Sequence, residues 1–237
     1  MGQAMDAALQ GILVIDKPLG MTSMRAVERV RRALGGAKAG HAGTLDPLAT
    51  GILIVAIGRA TKQIPFLMGL EKRYETEIDL SATTATLDTE GERVVAALEG
   101  PPPSRDQVLV ALESFRGTFA QAPPAFSAIK IQGRRAYDLA RKGDAVEPQP
   151  RDVTVHALDL LDYAWPVARL SIRCAKGFYV RSLARDLALR LGTLGHCLSI
   201  RRTAIGPYDL SVAMPLKDDP QGLEMAIRPF SPPADSR

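Results

Sequence analysis

The chain has 237 residues, 46% of them apolar, and a formal charge of +4. That length supports one real core with at most a small appendage, and the mild basicity (pI about 9.2) is compatible with a polyanionic partner without requiring one. Two cysteines, Cys174 and Cys197, exclude a disulfide framework or a CxxC metal site; no apolar run approaches the roughly 20 residues of a membrane span.

Met1 to Gln10 has neither a cationic start nor a long apolar centre, so a protein without a signal peptide, working in the reducing cytoplasm, is expected. Gly11-Ile12-Leu13-Val14-Ile15 predicts a first strand, ended by the turn Asp16-Lys17-Pro18-Leu19-Gly20. Thr22 or Ser23 can cap a helix from Met24 to Leu34. Its apolar stripe carries Val27, Val30 and Leu34; Arg25, Arg29 and Arg32 lie opposite, as a solvated face or as phosphate contacts, and Gly35-Gly36 stops it.

Next comes Gly40-His41-Ala42-Gly43-Thr44-Leu45-Asp46-Pro47-Leu48-Ala49-Thr50-Gly51, a tight, non-repetitive segment with one carboxylate. The wholly apolar Ile52-Leu53-Ile54-Val55-Ala56-Ile57 follows and predicts a strand buried on both faces. An acid on a stiff loop at the mouth of a central strand is a candidate site. On the residues alone it is equally an ordinary Asp-Pro turn.

A short helical piece near Gln63 to Met68 is followed by a strand from Arg73 to Leu80. Tyr74, Thr76, Ile78 and Leu80 share its inner face; Arg73, Glu75, Glu77 and Asp79 share the outer one. Tyr74 is either a rim core residue or a ring set to meet a ligand. Thr83 to Gly91 is polar and turn-rich. Ser104-Arg105-Asp106-Gln107 is a capping box opening a helix with Val108, Leu109, Leu112 and Phe115 inward, closed by Gly117.

The segment 122–146 begins with Pro123-Pro124 and concentrates Lys130, Arg134, Arg135, Arg141 and Lys142 around Phe126 and Tyr137, with a short helix from Ala136 to Lys142. Basic residues interleaved with aromatics suit a nucleic-acid surface, although a solvated excursion has the same composition. Val153 to Leu160 and Val167 to Cys174 predict two more strands. After Lys176-Gly177-Phe178-Tyr179 a helix carries Val180, Leu183, Ala184, Leu187 and Leu191 at helical spacing. Arg181 stands at its N-terminal edge, where the helix dipole disfavours a cation; it is a surface arginine or one with a carboxylate or phosphate partner. His196 and Cys197 lack further ligands at metal spacing and are expected to be structural, with no metal bound. Ser211 to Arg237 is proline-rich, with one short helical possibility over Gln221 to Ile227, and is expected to be a loosely packed tail.

Gly40 to Gly51 closely resembles the signature of the TruB-type pseudouridine synthases, and four further blocks agree in the family's order. These are Asp16-Lys17-Pro18 with Gly20 and Thr22-Ser23, Lys72-Arg73-Tyr74, Pro123-Pro124 through Ser127-Ala128, Lys130 and Gly133, and Lys176 through Leu183. The resemblance covers residues 11 to 208. Ala125-Phe126 departs from it, standing where a tyrosine more often precedes Ser127-Ala128.

The resemblance implies an α+β protein with the pseudouridine-synthase fold: a central mixed, largely antiparallel sheet flanked by helices and loops, with the basic insertion 122–146 gripping RNA. It implies a catalytic domain over 1–210 and a short tail over 211–237 without the family's complete C-terminal RNA-binding domain. The implied reaction converts uridine to pseudouridine in the T arm of tRNA, at position 55, in a cytoplasmic monomer. The N1–C1′ bond breaks, the base turns and C5 bonds to C1′; nothing is oxidised and no cofactor is called for. Asp46 would be the catalytic aspartate, attacking C1′ or removing a ribose proton. Arg181 would pair with it, Tyr74 would stack on the flipped uracil, Tyr179 would shape the pocket, Ile200 would close its apolar wall, and His41 would hold the deformed loop. Lys130, Arg134, Arg135, Arg141 and Lys142 would contact the RNA backbone. A non-catalytic tRNA-folding helper and a guide-RNA-dependent relative are the alternatives.

Overall fold

The computed structural model describes residues 9–126, 149–216 and 219–230, and the backbone of 130–131 and 134–135. In chain order the elements are β1 (Gly11–Lys17), α1 (Ser23–Ala33), β2 (Ala39–His41), β3 (Ala49–Ile57), a 3-10 turn over Gly58–Gln63, α2 (Ile64–Gly69), β4 (Lys72–Asp79), β5 (Ala82–Thr83) and β6 (Val94–Val95). They continue with α3 (Arg105–Glu113), β7 (Gly117–Gln121), β8 (Lys130–Ile131), β9 (Arg134–Arg135), β10 (Arg151–Ala164), β11 (Val167–Cys174), α4 (Val180–Arg190), β12 (His196–Ile205), β13 (Tyr208–Asp209), a second 3-10 turn, β14 (Met214–Pro215) and α5 (Pro220–Met225). The fold is α+β, with mixed pairing that is largely antiparallel. The chain divides into two compact units, Met1–Lys72 with Arg201–Arg237, and Arg73–Ile200.

In the first unit the strands run β14-β1-β3-β12, with β12 contributing its C-terminal half. β3 is antiparallel to β1 over the full length of β1, Gly11 facing Ile57 and Lys17 facing Gly51. Its other edge is shared between β2, which takes Val55 to Ile57, and Arg202 of β12, which lies against Gly51 and Ile52. Pairing along both edges makes β3 a central strand, and its unbroken apolar run is buried on both faces, every residue from Ile52 to Ile57 at 0% exposure. Ile12, Val14, Ile52, Ile54, Leu67 and Ile205 form the heart of the core. A branched aliphatic side chain buried this way contributes about 1.5–3 kcal/mol, so β3 alone is a large share of the unit's stability.

The second unit runs β12-β4-β11-β10-β7, with β12 contributing its N-terminal half. β10 is antiparallel to both β11 and β7. α3 packs on β10 and on α4, burying Val108, Ala111 and Leu112. The capping box is present in both directions, Ser104 Oγ accepting from the Gln107 N–H and Gln107 Oε1 accepting from the Ser104 N–H.

Several expectations need correction. Gly40 and His41 are not loop but strand β2, because β3 needs a partner along the far edge of its C-terminal end. Asp79 is buried rather than solvated: burial disfavours its charge, but the Ser81 hydroxyl and N–H and the Arg93 guanidinium outweigh that and hold its carboxyl below the usual range. Leu109 is 40% exposed, since the buried stripe of α3 runs through Val108, Ala111 and Leu112, one helical step away.

β5 and β6, β7, β12 and the short β13 and β14 were not anticipated. The described part of the tail, 211–216 and 219–230, is not loose. Met214 and Pro215 pair parallel to Ile15 and Asp16, Ile12 and Arg228 exchange two backbone hydrogen bonds of 2.9 Å, and the Phe66 and Phe230 rings lie 6.0 Å apart. The helix anticipated over 136–142 lies outside the described residues. No helix among the described residues is long and apolar enough to cross a membrane.

Candidate functional site

Asp46 lies in the connection 42–48 between β2 and β3. The loop is fixed by its backbone, carbonyl by carbonyl. Gly43 O accepts from Arg202 Nη2 at 3.2 Å and Thr44 O from Arg202 Nη1 at 3.4 Å. Leu45 O accepts from Ser23 Oγ at 3.0 Å, Asp46 O from the Ala49 N–H at 3.0 Å and Pro47 O from the Gly20 N–H at 2.8 Å. Ser23 also accepts from the Leu45 N–H at 2.7 Å, so one buried hydroxyl holds both backbone groups of the residue before Asp46. Thr22 is the true cap of α1, accepting from the Arg25 N–H. That division of labour leaves Ser23 to the loop, and sequence could not separate the two.

The charge around the loop is unusual. Lys17 is fully buried, its ammonium donating to Pro18 O and Met21 O. Burial lowers its pKa from 10.5 to about 8; the Asp46 carboxylate works against that shift and the Arg202 charge adds to it. A half-buried carboxylate thus stands within the field of the buried Lys17 ammonium, on a loop whose backbone has little freedom. His41, also in this unit, sits on β2 opposite Val55.

The second unit holds Tyr74, Tyr179, Arg181 and Ile200. Tyr74 is half-buried on β4, and Ile200, 6% exposed, lies on the neighbouring β12. Tyr179 is the residue before α4. Gln121 grips it reciprocally, Nε2 donating to Tyr179 O at 3.1 Å and Oε1 accepting from the Tyr179 N–H at 2.9 Å. Arg181 is 5% exposed, not the surface residue its place at a helix start allowed. It donates to Thr86 O at 2.7 Å and Phe126 O at 2.9 Å, and lies 3.6 Å from the buried Asp88 carboxylate.

The loop around Asp88 is itself cross-linked. Thr84 Oγ1 donates to Asp88 O and accepts from the Asp88 N–H, and Asp88 Oδ1 accepts from the Thr86 hydroxyl and the Glu90 N–H. Leu87 within it has φ +60, a left-handed conformation that a branched side chain rarely adopts. Lys130 lies on β8, paired with β9, which carries Arg134 and Arg135; Arg141 and Lys142 lie outside the described residues.

A model of the TruB family pseudouridylate synthase (N terminal domain) matches residues 31–180. The chain belongs to the TruB family. Its relatives include the tRNA pseudouridine synthase B of Caulobacter vibrioides, 48% identical over 89% of this chain and 67% of the relative. That of Nitrobacter winogradskyi is 45% identical over 88% of this chain and 58% of the relative. The chain therefore spans about three fifths to two thirds of the length of these two curated relatives. A solved Cbf5-Nop10-Gar1 complex contains a similar structure, with a TM-score of 0.71 at 26% identity over 92% of this chain and 60% of that one. The fold is the pseudouridine-synthase fold.

Within this TruB family chain, residues to which the sequence assigned no site role build much of the setting. Ser23, Lys17 and Arg202 fix or charge the Asp46 loop; Gln121, Thr86 and Asp88 hold Tyr179 and Arg181. Lys17 carried one legible signal, a lysine ending an apolar strand. Gln121 and Asp88 carried none, since a strand-end glutamine and a turn aspartate are commonplace.

Proposed function

We propose that this chain isomerises uridine to pseudouridine in the T arm of tRNA, at position 55, with Asp46 as the catalytic residue. The observation that carries the reading is the immobilised 43–47 backbone, which presents the Asp46 carboxylate near the buried Lys17 ammonium in a chain of this family. Positioning is worth most when the reacting group must meet a sugar carbon at a fixed angle. Asp46 either attacks C1′ or removes a ribose proton to release the base. In both routes the N1–C1′ bond breaks, the uracil turns, C5 bonds to C1′, and the C5 proton is lost while N1 gains one.

The target base lies within a folded loop and is extruded first, at a cost of a few kcal/mol. Tyr74 stacks on it and its hydroxyl helps move the C5 proton; Tyr179 shapes the pocket, Ile200 closes its apolar wall and Arg181 lends it positive charge. His41 holds the deformed loop. Lys130, Arg134, Arg135, Arg141 and Lys142 contact phosphates, so that recognition rests on RNA shape. Residues 1–210 act as the catalytic domain, with 211–237 as a short C-terminal tail, and the protein works as a cytoplasmic monomer.

The test uses tRNA and an isolated T-arm stem-loop carrying uridine tritiated at C5. The purified chain alone should release tritium and leave pseudouridine at the T-arm position in both. No release from either RNA would refute the reading. Release only after addition of a guide RNA or a protein partner would replace it with a guide-dependent reaction.

A further inference from the structure

We infer that Arg202 is a positioning residue for Asp46, a clamp that sets the catalytic loop against the central strand; the inference rests on the reading of Asp46 given above. Arg202 is 2% exposed, among the largest fully buried side chains of the protein. A guanidinium in such a place is costly unless its N–H groups are occupied. Its hydrogen-bond acceptors are three backbone carbonyls. Nε donates to Ile52 O at 2.7 Å, Nη2 to Gly43 O at 3.2 Å and Nη1 to Thr44 O at 3.4 Å.

One planar fork therefore ties a point on β3 to two successive residues of the loop, two and three positions before Asp46. Planarity matters. Because the guanidinium cannot bend, the separation and tilt between Ile52 O and the Gly43-Thr44 pair are fixed together. The fork is itself seated, for Arg202 lies on β12, and its backbone packs so closely on Gly51 that a Cβ there would stand 2.2 Å from Arg202 O.

A core-filling role does not require this residue. An apolar side chain would fill the volume without bringing a second cation into the field of Lys17, whose proton Arg202 makes less stable. What an apolar residue cannot do is satisfy Gly43 O and Thr44 O and hold them in register with β3. Ser23, the Ala49 N–H and the Gly20 N–H fix the next three carbonyls, so Arg202 supplies the upstream end of a continuous restraint that ends at Pro47.

The experiment compares the wild type, Asp46→Asn, Arg202→Lys and Arg202→Met on an unmodified T-arm stem-loop, with protein in excess, well below each Tm. Conversion by the wild type and its loss in Asp46→Asn establish the underlying reading separately. Arg202→Met should then slow the single-turnover rate on the order of 10²-fold, the effect of a misplacement of about 1 Å. Its RNA Kd should stay within about twofold of the wild type, because no RNA contact is removed. Arg202→Lys should fall between the two, since an ammonium reaches the carbonyls without holding all three in one plane.

Amide exchange supplies a reading independent of activity. The Leu45 and Ala49 amides should lose protection in Arg202→Met while those of β1 keep theirs. Rates of both variants within about threefold of the wild type would overturn the inference. So would unchanged exchange at Leu45 and Ala49, a loss confined to RNA affinity, or failure of both variants to fold, which would make Arg202 a folding residue only.

Discussion

Ser23→Ala isolates the loop restraint at its simplest point. The hydroxyl is buried and serves Leu45 twice, donating to its carbonyl at 3.0 Å and accepting from its N–H at 2.7 Å. Alanine leaves both groups of a 4%-exposed residue without that partner. At about 1–2 kcal/mol for each buried group left unmet, the loss is about 2–4 kcal/mol. Thr22→Ala is the matched control, one residue away. It removes an exposed helix cap worth about 1 kcal/mol and touches nothing in the loop. Urea unfolding gives the two stability losses, compared at equal m-values, and single-turnover conversion of the T-arm RNA gives the rates. The expected pattern is a larger stability loss for Ser23→Ala with a rate lowered about tenfold or more, against a smaller loss with unchanged rate for Thr22→Ala. Equal stability losses, or equal rates, would refute the claim that the hydroxyl sets the loop.

Gly51→Ala should be far more damaging than Gly117→Ala, as thermal and urea unfolding will read. Both glycines have positive φ, +97 and +76, but a Cβ on Gly51 meets Arg202 O at 2.2 Å, whereas Gly117 has nothing within 4 Å. The second substitution should cost about 1–2 kcal/mol and the first more than about 4 kcal/mol; similar costs would contradict the packing. Lys17 predicts a pH signature. Between about pH 8 and 10.5 the unfolded chain keeps a proton that the folded chain has released, so this group's contribution to stability rises with pH across that window. The rise is about 3 kcal/mol at most, and Lys17→Met should remove it. Parallel stability curves for wild type and variant from pH 8 to 10.5 would show that burial does not depress the lysine.

The sequence was most legible where one physical rule acts alone. The run Ile52 to Ile57 could only be a strand covered on both faces, and Ser104 to Gln107 spelled out a cap that closes in both directions. It was least legible where a residue's role depends on partners distant in the chain. β12 interleaves Ile200, Arg202, Ala204 and Ile205 with polar residues, and its pairing with β3 and β4 follows from topology, not periodicity. Asp79 alternates outward on paper but is drawn in by Arg93, fourteen residues on. The tail has too few apolar residues to announce a core element, yet two backbone bonds between Ile12 and Arg228 fasten it. At the site, Asp46 stood out because glycines and a proline isolate it. Ser23 and Arg202 did not, because their partners are backbone carbonyls, which every sequence has.

The central claim is that Asp46 performs the chemistry and does not merely help hold RNA. Asp46→Asn keeps the size and shape of the side chain and leaves the backbone restraints from Gly43 to Pro47 in place. Purified Asp46→Asn protein, incubated with unmodified T-arm RNA at saturating protein, should bind with the Kd of the wild type and form no pseudouridine. Undiminished conversion by that variant would contradict the account.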